Sequence, residues 1–180
     1  LASVKSLTPA EVEATGARMI LANTYHLWIR PGPARLARLG GVSAFMGWPH
    51  ALLTDSGGFQ VFSMTDRVTI EETGVAFRSH LDGARLHLTP EGSMAIQRDL
   101  GSDVAMLFDE CPPGGADRRT VERAVARTTR WAKRSLATEP APGQARFGIV
   151  QGGTDLALRR AHLAEIAALP VDGLALGGFS

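Results

Sequence analysis

The feature that most restricts the fold of this chain is a pattern met five times: an apolar run of strand length that stops at an amide, a carboxylate or glycine. Leu52-Leu53-Thr54 runs into Asp55-Ser56-Gly57-Gly58-Phe59-Gln60, and Val104-Ala105-Met106-Leu107-Phe108 into Asp109-Glu110-Cys111-Pro112-Pro113. Phe147-Gly148-Ile149-Val150 gives way to Gln151-Gly152-Gly153, Leu174-Ala175-Leu176 to Gly177-Gly178, and Met19-Ile20-Leu21-Ala22 to Asn23-Thr24. A short unbroken apolar run suits a strand buried on both faces, the environment of a parallel sheet. Glycine at its end lets backbone approach a ligand closely. Taken singly, Asp55 and its glycines read equally well as a helix cap or a chain reversal; repetition favours a site.

Between the runs, apolar residues recur every three or four positions, notably from Arg118 to Leu136 and from Asp155 to Leu169. Such segments are amphipathic helices, and their alternation with strands implies parallel βα units. In a closed barrel of such units the loops after the strands share one face, where active sites lie. Asn23, Asp55, Asp109, Gln151 and Gly178 are therefore expected around one pocket. One segment breaks the rhythm. Val68, Ile70, Val75, Phe77, Leu81, Leu86 and Leu88 alternate with polar residues, with turn signals at Thr73-Gly74 and Asp82-Gly83. This predicts a small antiparallel β insertion over about residues 66–89, followed by a helix from Glu91 to Leu100 that Pro90 introduces.

The expected fold class is α/β: a partial (β/α)8 TIM barrel with an antiparallel insertion. A complete eight-unit barrel usually takes about 250 residues, whereas this chain has 180, opens at Leu1 and stops after a glycine pair. The expectation is one incomplete barrel domain over residues 1–180, with both barrel ends missing.

Composition narrows the partners only slightly. A net charge of +1 gives no general basic surface. Arg127, Arg130, Lys133 and Arg134 share a helix face, read first as solvated and second as an RNA contact. The single cysteine, Cys111, excludes an internal disulfide and a multi-cysteine zinc site in these residues, and fits a reducing cytoplasm. No run is long and apolar enough to span a membrane, and no signal peptide stands at the observed start. His50, His80, His87 and His162 lack the paired spacing of metal ligands and read as surface or packing residues. Trp28, Trp48 and Trp131 read as core or interface residues, Arg85 and His87 as solvent-facing. Thr138 to Gln144 reads as the loosest stretch.

The exact strings carry more. Asn23-Thr24-Tyr25-His26-Leu27 with Arg30-Pro31-Gly32, Leu53 to Val61, Phe108-Asp109-Glu110-Cys111, Gly148-Ile149-Val150-Gln151-Gly152 and Gly177-Gly178 occur in order along nearly the whole chain. Together they closely resemble the tRNA-guanine transglycosylase (queuine tRNA-ribosyltransferase) family in its bacterial form. Leu7-Thr8-Pro9 fits as well. The resemblance implies a pentosyltransferase of queuosine biosynthesis that exchanges the wobble guanine of tRNA with a G-U-N anticodon for a 7-deazaguanine, preQ1. The implied chemistry is a double displacement at the ribose C1′ through a covalent enzyme–RNA intermediate.

The resemblance also implies residue roles. Asp55 matches the general acid/base, with Asn23 its orienting partner. Asp109 matches the aspartate that recognises the base, Gln151 and the Gly177–Gly178 backbone the donors to its exocyclic oxygen, and Phe59 the ring stacked on it, with a core role for Phe59 as competitor. Ser56 is expected to bond base or ribose, and Cys111 to line the pocket in the manner of the preQ1-using form. Thr24, Tyr25 and His26 read as packing or supporting residues. The nucleophilic aspartate and a structural zinc bound by three cysteines and a histidine are implied beyond Ser180. No metal ligand is expected in this chain, which by itself should be catalytically incomplete, and the whole protein should be a homodimer. Two rival readings stand beside this one. The first is a metal-dependent barrel hydrolase or lyase with Asp55 and Asp109 as ligands, which Gln151 and the glycines oppose. The second is a non-catalytic tRNA-binding subunit, which loss of Asp55 or Asp109 would have favoured.

Overall fold

A computed structural model describes residues 2–58, 60 and 68–179. Five of its strands form one parallel sheet: β1 (Met19–Ala22), β2 (Ala51–Thr54), β6 (Val104–Met106), β7 (Ala145–Val150) and β8 (Gly173–Leu176). The antiparallel sheet consists of β3 (Thr69–Ile70), β4 (Val75–Arg78) and β5 (Arg85–Leu88). Strand order in the parallel sheet is β1-β2-β6-β7-β8, so each strand joins beside its predecessor and the order never reverses. The register pairs Ala22 with Thr54, Thr54 with Ala105, and Val150 with Leu176. Asn23 and Asp55 therefore leave the sheet side by side, as do Gln151 and Gly177.

Seven helices lie wholly within the described residues: α1 (Pro9–Ala14), α2 (Thr24–Ile29), α3 (Pro33–Arg38), α4 (Gly41–Met46), α5 (Pro90–Leu100), α6 (Arg118–Leu136) and α7 (Leu156–Ala167). The apolar period locates α6 as expected. The α7 helix begins one residue later, because Asp155 is its cap and accepts the N–H groups of Ala157 and Leu158. Pro90 opens α5, with Thr89 as its cap. The short α2, α3 and α4 left no periodic trace, since six residues are under two turns. They are set instead by local devices: the Asn23 cap on α2, and left-handed glycines at both ends of α4.

One core cluster joins Leu27, Leu36, Leu52, Leu88, Leu100, Phe108 and Trp131, linking α2, α3, α5 and α6 to the sheet. The Phe108 and Trp131 rings lie 4.9 Å apart. A second cluster seats α7 through Ile166 against Ala105, Leu107 and Ala132. Helix and sheet approach closely there: a Cβ at Gly148 would stand 2.3 Å from Ile166. In the same core, the buried Gln97 of α5 behaves as a short strand. Its Oε1 accepts the Met106 N–H at 2.8 Å and its Nε2 donates to the Met106 carbonyl at 2.9 Å.

The insertion forms with turns where expected, and Arg85 and His87 face solvent. Its expected start overlaps residues 61–67, which lie outside the described residues. The basic face of α6 departs from the solvated reading. Arg130 grips Glu72 at 2.6 and 2.8 Å, Arg134 grips Glu91 at 2.7 Å and donates to the Glu72 carbonyl, and Arg127 pairs with Glu110 at 2.6 Å. Of the four, Lys133 is the one left exposed with no ion pair among the described residues. This face fastens the insertion to α6. The stretch from Thr138 to Gln144 is irregular, yet Gln144 at its end is buried and bonded to Ser102. Trp48 and Trp131 are core residues, Trp28 is half-buried, and His162 is fully buried. No described helix is long and apolar enough to cross a membrane.

Candidate active site

The ends of the parallel strands surround a cavity of about 390 Å³. Its floor is apolar, built from Leu21, Leu53, Met106, Ile149 and Ala175, one residue from each parallel strand. Its rim is polar: Asp55, Ser56, Asp109, Cys111, Gln151, Gly177 and Gly178 all line it. Asn23 stands behind this wall, bonded to Asp55. Phe59 lies outside the described residues.

Asp55 follows β2 and is held by donors from the neighbouring strand end. Asn23 Nδ2 donates to its Oδ2 at 2.6 Å, while the N–H groups of Thr24 and Gly57 both reach Oδ1 at 3.0 Å. Thr24 Oγ1 donates to the Asp55 carbonyl at 2.5 Å. Burial pushes the carboxyl up to about 6, against the pull of these donors, and the nearby Asp109 charge adds to the rise. Such a group exchanges protons readily near neutral pH.

Asp109 follows β6 and is 7% exposed. Ser56 Oγ donates to its Oδ1 at 2.9 Å and Gln151 Nε2 to its Oδ2 at 2.6 Å. Burial raises its pKa, partly offset by those two donors. Its main chain is fixed from behind by α6: the Phe108 and Glu110 N–H groups donate to Ser135 and Thr128, two turns apart on one helix face. Ser93 of α5 likewise donates to the Ser56 carbonyl at 2.6 Å.

Gln151, fully buried, follows β7, and its N–H donates to Nδ1 of His162 at 2.8 Å. Burial lowers the His162 pKa, which keeps the ring neutral and Nδ1 an acceptor. Gly177 and Gly178 press against this amide; a Cβ on either would lie 2.6 Å from the Gln151 side chain. The Gln151 Oε1 is buried with no hydrogen-bond partner. The wall therefore keeps polar capacity that a ligand can use. Ser56 bonds Asp109, so it supports the carboxylate directly.

Of the five residues expected around one pocket, the structure places Asp55, Asp109, Gln151 and Gly178 on one cavity, whereas Asn23 does not line it and reaches the site through Asp55. Sequence reasoning overlooked Arg159 and His162 of α7, which bond the main chain around Gln151. Neither sits in a recognisable string; the only hint was their spacing of three on a helix that starts just after Gln151. Among the described residues no group of three His, Cys, Asp or Glu is placed to hold a metal.

Residues 1–180 match the family model for queuine tRNA-ribosyltransferase. The chain is similar to the queuine tRNA-ribosyltransferase of Sorangium cellulosum, at 66% identity over 99% of this chain and 45% of the relative. It is 52% identical to the one from Halalkalibacterium halodurans, over 100% of this chain and 48% of the relative. For a Thermus thermophilus relative of the same description the identity is 51%, over 99% of this chain and 46% of the relative. The chain thus spans about half the length of the curated relatives it matches. A family match over every residue, together with a strand-end site of this make-up, leads to one conclusion: this chain belongs to the queuine tRNA-ribosyltransferase family.

Proposed function

We propose that the full-length protein is a tRNA-guanine transglycosylase that exchanges the wobble guanine of G-U-N tRNAs for preQ1. The observation that carries this reading is the cavity in which Asp55, Asp109, Gln151 and the Gly177–Gly178 backbone meet. A purine presents N1–H and an exocyclic amine on one edge and a carbonyl on the other. Asp109 accepts from the first; the Gln151 Nε2 amide and the Gly178 N–H serve the second, the Gly177 N–H being taken by the Val150 carbonyl. The apolar floor takes the ring faces of a base removed from its stack, with Phe59 in the stacking role that the resemblance implies.

Asp55 acts as general acid/base. Its carboxyl gives a proton to guanine N9 as the C1′–N9 bond breaks and a carboxylate outside this chain bonds C1′. In the second displacement, Asp55 takes the N9 proton of the incoming base as that base replaces the carboxylate. Asn23 orients it. The sequential order of the parallel sheet, with no reversal and with the site at the strand ends, supports part of a (β/α)8 barrel as the fold. Cys111 on the cavity rim suits the preQ1-using form. The structural zinc implied by the family finds no ligand group among the described residues and enters no step. A homodimer working in the cytoplasm is part of the same proposal.

The metal-dependent alternative is weakened by the site itself, because N–H and O–H donors already face both carboxylates where a cation would have to bind. The test is incorporation of labelled guanine into a G-U-N tRNA by the full-length protein. Wild type should exchange guanine, and Asp109→Ala should cut the rate by about 100-fold or more, the scale of losing a charged buried partner. Undiminished exchange in Asp109→Ala would remove Asp109 from base recognition.

A further inference from the structure

Arg159 belongs to no motif, yet its guanidinium is where the two loops of the cavity meet. It projects from the first turns of α7, where the positive end of the helix disfavours a cation. No carboxylate among the described residues pairs with it. Its hydrogen bonds go to carbonyls of the cavity loops instead. Nε donates to Gly153 at 2.6 Å and Nη1 to Val150 at 3.3 Å, so the guanidinium spans the turn that contains Gln151. Nη2 donates to Gly177 at 2.7 Å and to Gly178 at 3.5 Å, and the group lies 3.9 Å from the centre of the Phe179 ring. Gly152 makes room for the stem: a Cβ there would stand 2.8 Å from Arg159 Cγ.

The geometry points to Arg159 as a positioning residue of base recognition, one that sets the distance between Gln151 and the Gly177–Gly178 backbone. This rests on the reading of the cavity as a purine site. The two groups belong to different loops, after β7 and after β8, and both must meet one edge of one ring. A planar fork of five N–H donors can hold carbonyls of both loops at once, whereas an ammonium is a single point on a flexible stem. Arg159 reaches the base only through those carbonyls. Its loss should therefore weaken grip on the base and leave the hold on the tRNA body unchanged.

The test uses the full-length protein, with Arg159→Lys beside Arg159→Ala. Guanine exchange is measured against guanine concentration and, separately, against tRNA concentration. Both variants should raise KM for guanine by about tenfold or more, as expected when recognising groups shift by a fraction of an ångström. KM for tRNA should stay within about twofold. Hydrogen exchange of residues 173–179 should accelerate in Arg159→Lys while β6 keeps its protection, a readout available even if Arg159→Ala fails to fold. Unchanged KM for guanine with unchanged exchange at 173–179 would overturn the inference. A raised KM for tRNA that Lys restores would overturn it too, making Arg159 a phosphate contact. If wild type exchanges no guanine yet Arg159→Lys loosens 173–179, the positioning role stands and the transglycosylase reading falls.

Discussion

In the proposed reaction Asp55 is the residue on which the chemistry turns, and its environment poises it between two protonation states. Burial raises its pKa to about 6; the donors Thr24, Gly57 and Asn23 oppose that rise. As proposed, expulsion of guanine needs the protonated carboxyl, and uptake of the incoming base needs the carboxylate. We therefore predict opposite pH limbs for the two half-reactions in single-turnover measurements. Release of guanine should slow as pH rises through about 6, and entry of the new base should slow as pH falls through it. Asn23→Ala removes a donor that stabilises the ionised form, so both limbs should move to higher pH. Limbs on the same side for both half-reactions would refute proton shuttling by Asp55. For stability the sign is separate: a carboxyl whose folded pKa exceeds its unfolded 3.8 contributes stability at acid pH and loses it as pH rises through about 6. The site residue is thus held at neutral pH by the rest of the fold.

Three strand ends of the site are each held by a helix behind them. The α5 helix supports the loop after β2 through Ser93, α6 supports Asp109 through Thr128 and Ser135, and α7 supports Gln151 through His162. The most consequential link is Gln97, because its amide satisfies both main-chain groups of Met106 while its Oε1 also accepts Thr54 Oγ1 at 2.9 Å. Gln97→Leu keeps the volume and removes those partners. It should cost roughly 2–4 kcal/mol, from two main-chain groups left buried and unbonded. Chemical denaturation of the full-length protein checks the cost, and faster hydrogen exchange at Met106 checks the cause. A loss below about 0.5 kcal/mol, the range of a surface change, would show that Gln97 is replaceable. The ion pairs of α6, Arg130 with Glu72 of the insertion and Arg134 with Glu91 of α5, are a weaker device, being largely exposed, each contributing at most about 1 kcal/mol.

At the scale of the molecule, the parallel sheet has two edges, β1 and β8, with no further strand beside them among the described residues. Leu21 on β1 and Leu176 on β8 are 65% and 68% exposed, and both line the cavity. Apolar side chains on unpaired edges are templates for association. Residues 1–180 produced alone should therefore self-associate and bind a hydrophobic dye, whereas the full-length protein should do neither beyond the proposed dimer. Light scattering after gel filtration distinguishes the two. A monomeric, cooperatively unfolding 1–180 would show that these edges need no cover.

The sequence alone determined the local grammar. Buried parallel strands need uninterrupted apolar runs, and the chain after them needs glycine, amide or carboxylate, so five strand ends and their polar residues were legible without coordinates. The α6 and α7 helices and the insertion were legible for the same reason, since periods of 3.6 and 2 leave different marks. The family strings added roles for Asp55 and Asp109. Tertiary structure alone decided the pairings across the chain: Gln97 with Met106, the α6 arginines with Glu72 and Glu91, Arg159 with the carbonyls of two loops. Those partners lie far apart in sequence or are main-chain atoms, which every residue carries. A main-chain carbonyl has no letter in the sequence, so the residue that binds it becomes visible only once the chain has folded.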